Sequence, residues 1–213
     1  AWERRFFSTP ELDRIELTHL KCGQILAPQM RCRHCNDPVN VHDVSYKPSP
    51  GATGDIRQKK VRRRSSIALS ESPSERTVYK NLINLVGDRW TANVIALTFH
   101  GLSRFDDLHR ELPIATNVMA DRLKLLVKEG ILEQIAYQQN PVRYEYVLTE
   151  KGEALYPYFL TLLQWGDKWC AATSTGKPVS LRHKSCEHAL RAEVKCSECD
   201  EVLKAREVHF DLG

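Results

Sequence analysis

Between residues 76 and 170 the chain alternates apolar and polar positions with a period that changes in an ordered way. YKNLINLVGDRW and TANVIALTFHG carry apolar residues at helical spacing, with Gly87 breaking one helix and Gly101 ending the next. Leu108 and Leu112 then lie one helical turn apart ahead of Pro113. Val118, Met119, Leu123, Leu126 and Val127 mark one face of a further helix that stops at Gly130, and Thr116 is placed to cap it. The period next becomes that of strands in ILEQIAY (131–137) and VRYEYVL (142–148), separated by the turn-prone stretch 138–141. After them Thr149 is placed to cap a long helix, TEKGEALYPYFLTLLQWGDKW. Its residues Leu155, Tyr158, Phe159, Leu162, Leu163, Trp165 and Trp169 occupy more than one face, which predicts packing on its own domain and on a second one.

Two helices, then helix, turn, helix and hairpin, is the order of a winged helix-turn-helix. The expected fold is mainly α with a small β-hairpin wing (α+β). Such a domain inserts the first turns of its second helix into the major groove of double-stranded DNA. The polar side of that helix is Asn117, Ala120, Asp121 and Lys124. The Asn117 amide is suited to pair both donor and acceptor edges of adenine. Thr116 is placed for phosphate contact as well as capping, and Arg122, Lys124 and Lys128 for charge along the backbone. Asp121 either pairs locally or orients a donor. Gln138, Gln139 and Asn140 at the wing tip, with Arg143 beside them, suit phosphate or minor-groove contact, and Ser103 and Arg104 suit backbone docking. The plainer alternative for each charge is a solvated helix face. Trp90, Phe99, Phe105, Leu108, Leu112, Leu123, Leu126, Tyr144 and Tyr146 are expected in the core.

An internal repeat flanks this region. HLKCGQILAPQMRCRHC (19–35) and HKSCEHALRAEVKCSEC (183–199) both read H-x2-C-x9-C-x2-C, and a shift of about 164 positions also aligns Leu17 with Leu181, Leu26 with Leu190 and Val44 with Val208. Each copy offers three thiolates and one imidazole, the donor set of a closed tetrahedral zinc site, which braces structure rather than catalysing hydrolysis. The expected ligands are His19, Cys22, Cys32 and Cys35 for one copy and His183, Cys186, Cys196 and Cys199 for the other. His34 and His188 are set aside because their repeat counterparts are Glu198 and Gln24. Ordinary buried thiols are the alternative. Cys170, the seventh cysteine, reads as a helix-end thiol. Trp2 of AWERRFF precedes His19 almost as Trp165 precedes His183, so the chain is expected to open at the tail of a preceding copy of the same unit.

Composition refines this picture only modestly. With 213 residues, 42% of them hydrophobic, the chain can bury a core, and a net charge of +4 neither demands nor excludes nucleic acid. No apolar run is long enough to span a membrane, and paired cysteines at metal spacing fit a reducing cytoplasm. The Pro, Gly, Ser and Arg content of residues 47–74 marks a flexible linker. Within it Lys59–Arg64 (KKVRRR) is a DNA-tracking arm, a solvated tether or, as a third option, a localisation signal. The expected organisation is thus residues 1–46 as a repeat tail with a zinc knuckle, 47–74 as a basic linker, 75–170 as the winged domain and 171–213 as a second knuckle. No phosphate loop or nucleophile elbow is present in the sequence, so no enzyme is expected.

LINLVGDRWT, LSRFDDLHRELP, MADRLKLLVKEGILE, VRYEYVLTEKG and LLQWGDKW, taken in order, resemble the HxlR-type family of winged helix-turn-helix transcriptional regulators. The resemblance covers about residues 75–170. It implies a bacterial or archaeal, sequence-specific DNA binder that pairs through its long terminal helix (150–170) and first helix, here as a homodimer or as an intramolecular pseudo-dimer. Some members carry a redox-sensing cysteine before the first helix, and the matching position here is Thr77. The competing functions are a zinc-stabilised protein-interaction module and a regulator switched by oxidation of its zinc thiolates.

Overall fold

The computed structural model describes residues 2–7, 14–48, 80–169 and 179–211. Thr77, Cys170 and the basic run Lys59–Arg64 lie outside the described residues. The helical part contains α2 (Lys80–Val86), α3 (Arg89–Phe99), α4 (Phe105–Glu111) and α5 (Thr116–Lys128). Asp88 caps α3, its carboxylate accepting from the backbone N–H of Trp90 and Thr91 at 3.1 and 2.9 Å. Gly101 and Gly130 follow α3 and α5 at φ of +87° and +66°, the left-handed conformation that lets a chain leave a helix. Thr116, the cap expected from the sequence, is instead the first helical residue of α5. Ala115 holds the cap position without a side-chain bond.

Strands β5 (Leu132–Gln139) and β6 (Val142–Leu148) form the wing hairpin. A third piece of backbone joins it: the Tyr146 N–H donates to the Ser103 carbonyl at 2.7 Å, and Arg104 bridges to Glu145. The wing is thereby tied to the residues that open α4. Met119, Leu123 and Leu126 of α5 meet Val94, Ile95, Leu108, Ile131 and Leu155 in the main core. Tyr144, expected in the core, is 41% exposed, because it sits out along the hairpin opposite Ala136, where the sheet has left the helices behind.

The expected long helix is two. Thr149 caps only α6 (Glu150–Glu153), accepting from the Gly152 N–H at 3.1 Å, and α7 (Tyr156–Trp169) starts afresh. Pro157 explains the break, since its ring would meet the carbonyl four residues earlier in a continuous helix but is tolerated in a first turn. At Gly152 an added Cβ would lie 2.3 Å from the Ile131 carbonyl oxygen and 3.0 Å from Leu148. Gly152→Ala is therefore expected to cost about 1–3 kcal/mol in urea denaturation, the range for overpacking, and an unchanged midpoint would refute this close approach.

The remaining strands knit the two ends of the chain together. Beyond α1 (Trp2–Phe6) come β1 (Glu16–His19), β2 (Gln24–Ile25), β3 (Pro28–Cys32) and β4 (Val44–Pro48), and after α7 come β7 (Val179–His183), β8 (Ala192–Cys196) and β9 (Val208–Asp211). β1 pairs with β2 and β9, β3 with β8, and β4 with β7, all antiparallel. The two knuckles expected at 1–46 and 171–213 are therefore one interlocked module. Among the described residues neither copy has a partner strand of its own for β3 or β8, so each takes the other's.

Helix α7 lies between reader and module. Phe159 packs on the main core, while Tyr156 and Leu160 join Cys32 and Val39 in a second cluster with Leu181 and Leu190. The Ala192 N–H donates to the Gln164 side chain at 3.0 Å, and Tyr46 of the module stacks on His100 of the reader at 3.9 Å. Burial pushes the His100 imidazole down to about 4. Between the unfolded value of 6.5 and about 4 the unfolded chain thus binds the extra proton, so stability falls as pH drops through that window. His100→Asn is expected to flatten the acid limb of a stability–pH curve, and an unaltered limb would rule out this contribution.

Candidate functional site

The first candidate surface is the outward side of α5. Thr116, Asn117, Asp121, Lys124 and Lys128 are exposed and Ala120 is half-buried, while Met119, Leu123 and Leu126 are buried behind them. The 3.6-residue period places Asn117, Asp121, Lys124 and Lys128 along one stripe. Asn117 and Thr116 stand at its amino-terminal end, and Lys128 lies about 17 Å away at the other.

Two expected cations are engaged inside the protein. Arg122 donates from Nε to Asp88 Oδ1 at 2.9 Å and from a terminal nitrogen to Asp88 Oδ2 at 3.2 Å. Although burial acts to raise the Asp88 pKa, Arg122 and the α3 backbone outweigh it and hold the carboxylate below its ordinary value. Arg122 therefore fastens α5 to the start of α3 rather than standing free along the backbone stripe. Arg104 pairs with Glu145 at 2.9 Å and lies 4.4 Å from the Tyr137 ring centroid, yet remains half-exposed. Ser103 is half-buried and contributes its carbonyl to the wing. At the wing tip Gln139, Asn140 and Arg143 are exposed, whereas the Gln138 amide folds back to donate to the Asn140 carbonyl at 3.0 Å.

The second candidate is a pair of donor clusters whose membership differs from the sequence grouping. One contains His19, Cys22, Cys196 and Cys199, the other Cys32, Cys35, His183 and Cys186, with the four donor atoms of each lying within 4.8 Å of one another. Each takes its H-x2-C from one repeat copy and its C-x2-C from the other. The exchange follows from the strand pairing, since the β3–β8 ladder sets Cys32 beside Ala192 and Pro28 beside Cys196. Spacing along the chain carries no information about which halves meet.

The geometry of both clusters fits a tetrahedral ion. Zn–S of about 2.3 Å and Zn–N of about 2.0 Å give tetrahedron edges of about 3.8 Å between sulfurs and about 3.5 Å from nitrogen to sulfur. His19 Nδ1 lies 3.4 Å from Cys22 Sγ and 3.3 Å from Cys199 Sγ, and Cys22 Sγ lies 4.0 Å from Cys196 Sγ. In the other cluster His183 Nδ1 lies 3.3 and 3.5 Å from Cys35 and Cys186, and Cys32 Sγ lies 4.0 Å from Cys186 Sγ. These sulfurs are not disulfide-bonded. Both imidazoles are fully buried, and neither Nε2 has a partner among the described residues, where only the Nδ1 edge facing the sulfurs is engaged. At Cys32 and Cys196 burial acts to raise the thiol pKa, but backbone N–H groups of His34 and Cys35, and of Glu198 and Cys199, outweigh it and favour thiolate. His34 and His188 are exposed and stack on each other at 3.4 Å beside the second cluster.

A third surface lies on α7, where Tyr158, Leu162, Trp165 and Trp169 are 36, 46, 57 and 63% exposed. They recur every three or four residues and so form one apolar stripe. Elsewhere on the reader α1 is already docked. The buried Glu3 carboxylate accepts from the Leu82 N–H at 2.6 Å and from Asn81 at 3.0 Å, and the Trp2 indole donates to the Lys151 carbonyl at 2.8 Å. No helix among the described residues is long and apolar enough to cross a membrane.

A family model described as HxlR-like helix-turn-helix matches residues 85–174. An uncharacterized HTH-type transcriptional regulator of Mycobacterium tuberculosis is 36% identical over 131 residues, 62% of this chain and 82% of its own length. The HTH-type transcriptional regulator YodB of Bacillus subtilis is 33% identical over 97 residues, 45% of this chain and 87% of its own. Among solved structures, that of PA1607, described as a transcription factor, superposes with a TM-score of 0.56 at 27% identity, covering 63% of this chain and 93% of that one.

Proposed function

The chain belongs to the HxlR-like helix-turn-helix family, and from that premise we propose that it regulates transcription by binding double-stranded DNA sequence-specifically through α5 and the wing. The observation that carries the reading is the polar stripe of α5, held outward by a fully buried face. A helix supported so rigidly presents Asn117 and Thr116 to a groove without losing much freedom on binding. Asn117 reads a base edge, Thr116 and Lys124 meet phosphates, and Gln139, Asn140 and Arg143 of the wing touch the neighbouring backbone or minor groove. Arg122 has a different role, since moving it to phosphate would strip the cap residue of α3 of its partner.

The two donor clusters hold structural zinc, and the ions brace the strand module against which α7 packs. The exposed stripe of α7 serves pairing. It meets the corresponding surface of a second reader, either in the same polypeptide or in another chain. The docked α1, which the repeat aligns with the end of α7, supports this, because it lies on α2 and Lys151.

Nuclease footprinting on the region upstream of the protein's own gene tests the reading. Paired readers are expected to protect two patches about 34 Å apart along one face of the duplex, and a lone reader protects one. Absence of any protected patch at concentrations that saturate non-specific binding would refute it.

A further inference from the structure

The strand module obeys a two-fold relation between its copies that extends well beyond the ligands. The pairing Glu16–Asp211 recurs as Ser180–Lys47, and His19–Val208 as His183–Val44, each a shift of about 164 positions with the partners exchanged. Turn hydrogen bonds recur too: Cys32 N–H to Asp37 O matches Cys196 N–H to Glu201 O, both at 2.9 Å, and Leu26 to Leu17 matches Leu190 to Leu181 at 2.7 and 2.8 Å. Left-handed residues coincide as well, Asn36 at φ 64° with Asp200 at 57°, and Gly23 at 70° with Glu187 at 56°. Asn36 and Asp200 are joined directly at 2.9 Å. The knuckle turns are thus complete within each copy, but every ladder longer than the two-residue β1–β2 pairing, and both donor sets, require two copies.

We infer that the two metal sites form a reciprocal clasp, in which each ion is coordinated only when the amino-terminal and carboxy-terminal copies are joined, so that metal fixes the amino-terminal strands β1 to β4 against this reader. The inference rests on the zinc reading of the clusters. Opening either site removes one of the two ties at the ends of the β3–β8 ladder, so loss of one ion weakens retention of the other. The clasp also holds β1, and Arg4 of α1, which donates to the Ile15 carbonyl at 3.1 Å, ties that helix to it beside Lys151 and Leu82. A copy standing alone has two donors for each of two half-sites and closes neither.

Paired substitutions in the full chain separate exchanged from local coordination, with cobalt(II) as the probe through its thiolate charge-transfer absorption and elemental analysis as the count. In the exchanged arrangement Cys22→Ser with Cys199→Ser takes two ligands from one site and none from the other, so one ion per chain is retained at saturating metal, bound more weakly than in the wild type. Cys22→Ser with Cys35→Ser takes one ligand from each, and both sites weaken. Local coordination within each copy predicts the reverse pattern, which would overturn the clasp while leaving the zinc reading intact. No metal in the wild-type protein purified without chelator would sink the zinc reading itself.

A protease site placed between residues 49 and 79 gives a second readout. After cleavage the two fragments are expected to co-elute with zinc and to separate on adding a strong chelator. Fragments that separate with zinc present, or that stay together without it, refute the clasp.

Discussion

Asn117→Ala is expected to weaken binding to the specific operator by about 5- to 150-fold while leaving non-specific DNA affinity within about twofold. The range follows from the 1–3 kcal/mol of discrimination that one good bidentate base contact supplies. The selectivity of the loss matters more than its size. Asn117 is exposed on the first turn of α5 and its side chain makes no hydrogen bond among the described residues, so its removal leaves the core of Met119, Leu123 and Leu126 untouched. Fluorescence anisotropy with operator and scrambled duplexes measures both affinities. An equal fall on the two duplexes would show that Asn117 acts on the backbone, and no fall would remove it from the interface. Arg122→Ala serves as the contrasting substitution. It should lower the denaturation midpoint, because it removes the partner of Asp88, and should affect both duplexes alike.

Zinc removal is expected to melt the strand module while sparing the helical reader. Among the described residues the module's own buried apolar side chains are few, Leu26, Cys32, Val39 and Cys196, and the cluster around Cys32 is completed by Tyr156 and Leu160 of α7. The reader, by contrast, has an aliphatic core built from α2 to α7. Structural zinc in small folds supplies on the order of 10 kcal/mol of apparent folding free energy, so the module without it cannot close its ladders. Hydrogen exchange read by mass spectrometry should show lost protection in β3, β4, β7 and β8 after chelation, with α3 and α5 still protected. Retained protection at β3 and β8 in metal-free protein would contradict a structural role for the ions. Co-operative loss in all segments would instead show that reader and module unfold as one unit, as the shared burial of Tyr156, Leu160 and Phe99 permits.

The sequence made the reader legible because its signals are local. The spacing of Met119, Leu123 and Leu126, the stop at Gly130 and the alternation in 131–148 each depend on near neighbours, and the structure has α5, its end and the hairpin where those signals place them. What it hid is long-range. That Ser103 and Arg104 join the wing depends on residues about forty positions away. The commitment of Arg122 to Asp88 likewise depends on the packing of α5 on α3. The break between α6 and α7 was visible in Pro157, whose ring cannot sit within a continuous helix.

The candidate metal ligands show the same division most clearly. The repeat singled out the eight residues that the structure gathers into two donor clusters, with His19 and His183 buried in them, and the structure also brings the exposed His34 and His188 beside Cys186. Which halves meet is decided by β3 pairing with β8. A repeat is equally compatible with two closed knuckles or one exchanged pair, because both satisfy the same spacing. The strand ladders supply the physical reason for the exchange: among the described residues a single copy has within itself only the short β1–β2 pairing or isolated bridges such as Arg31–Pro38 and Lys195–Val202, and by exchanging partners both copies satisfy the backbone of β3, β4, β7, β8 and β9.

Sequence-specific DNA binding by α5 and the wing is tested most directly by titrating a duplex from the upstream region of the gene, and a scrambled duplex of equal length, with zinc-loaded protein at several salt concentrations. The account predicts that log K falls linearly with log salt, by about 0.9 for each phosphate neutralised, and that the upstream duplex binds at least about a thousandfold more tightly than the scrambled one. Equal affinities for the two duplexes, or binding that ignores salt, would contradict it.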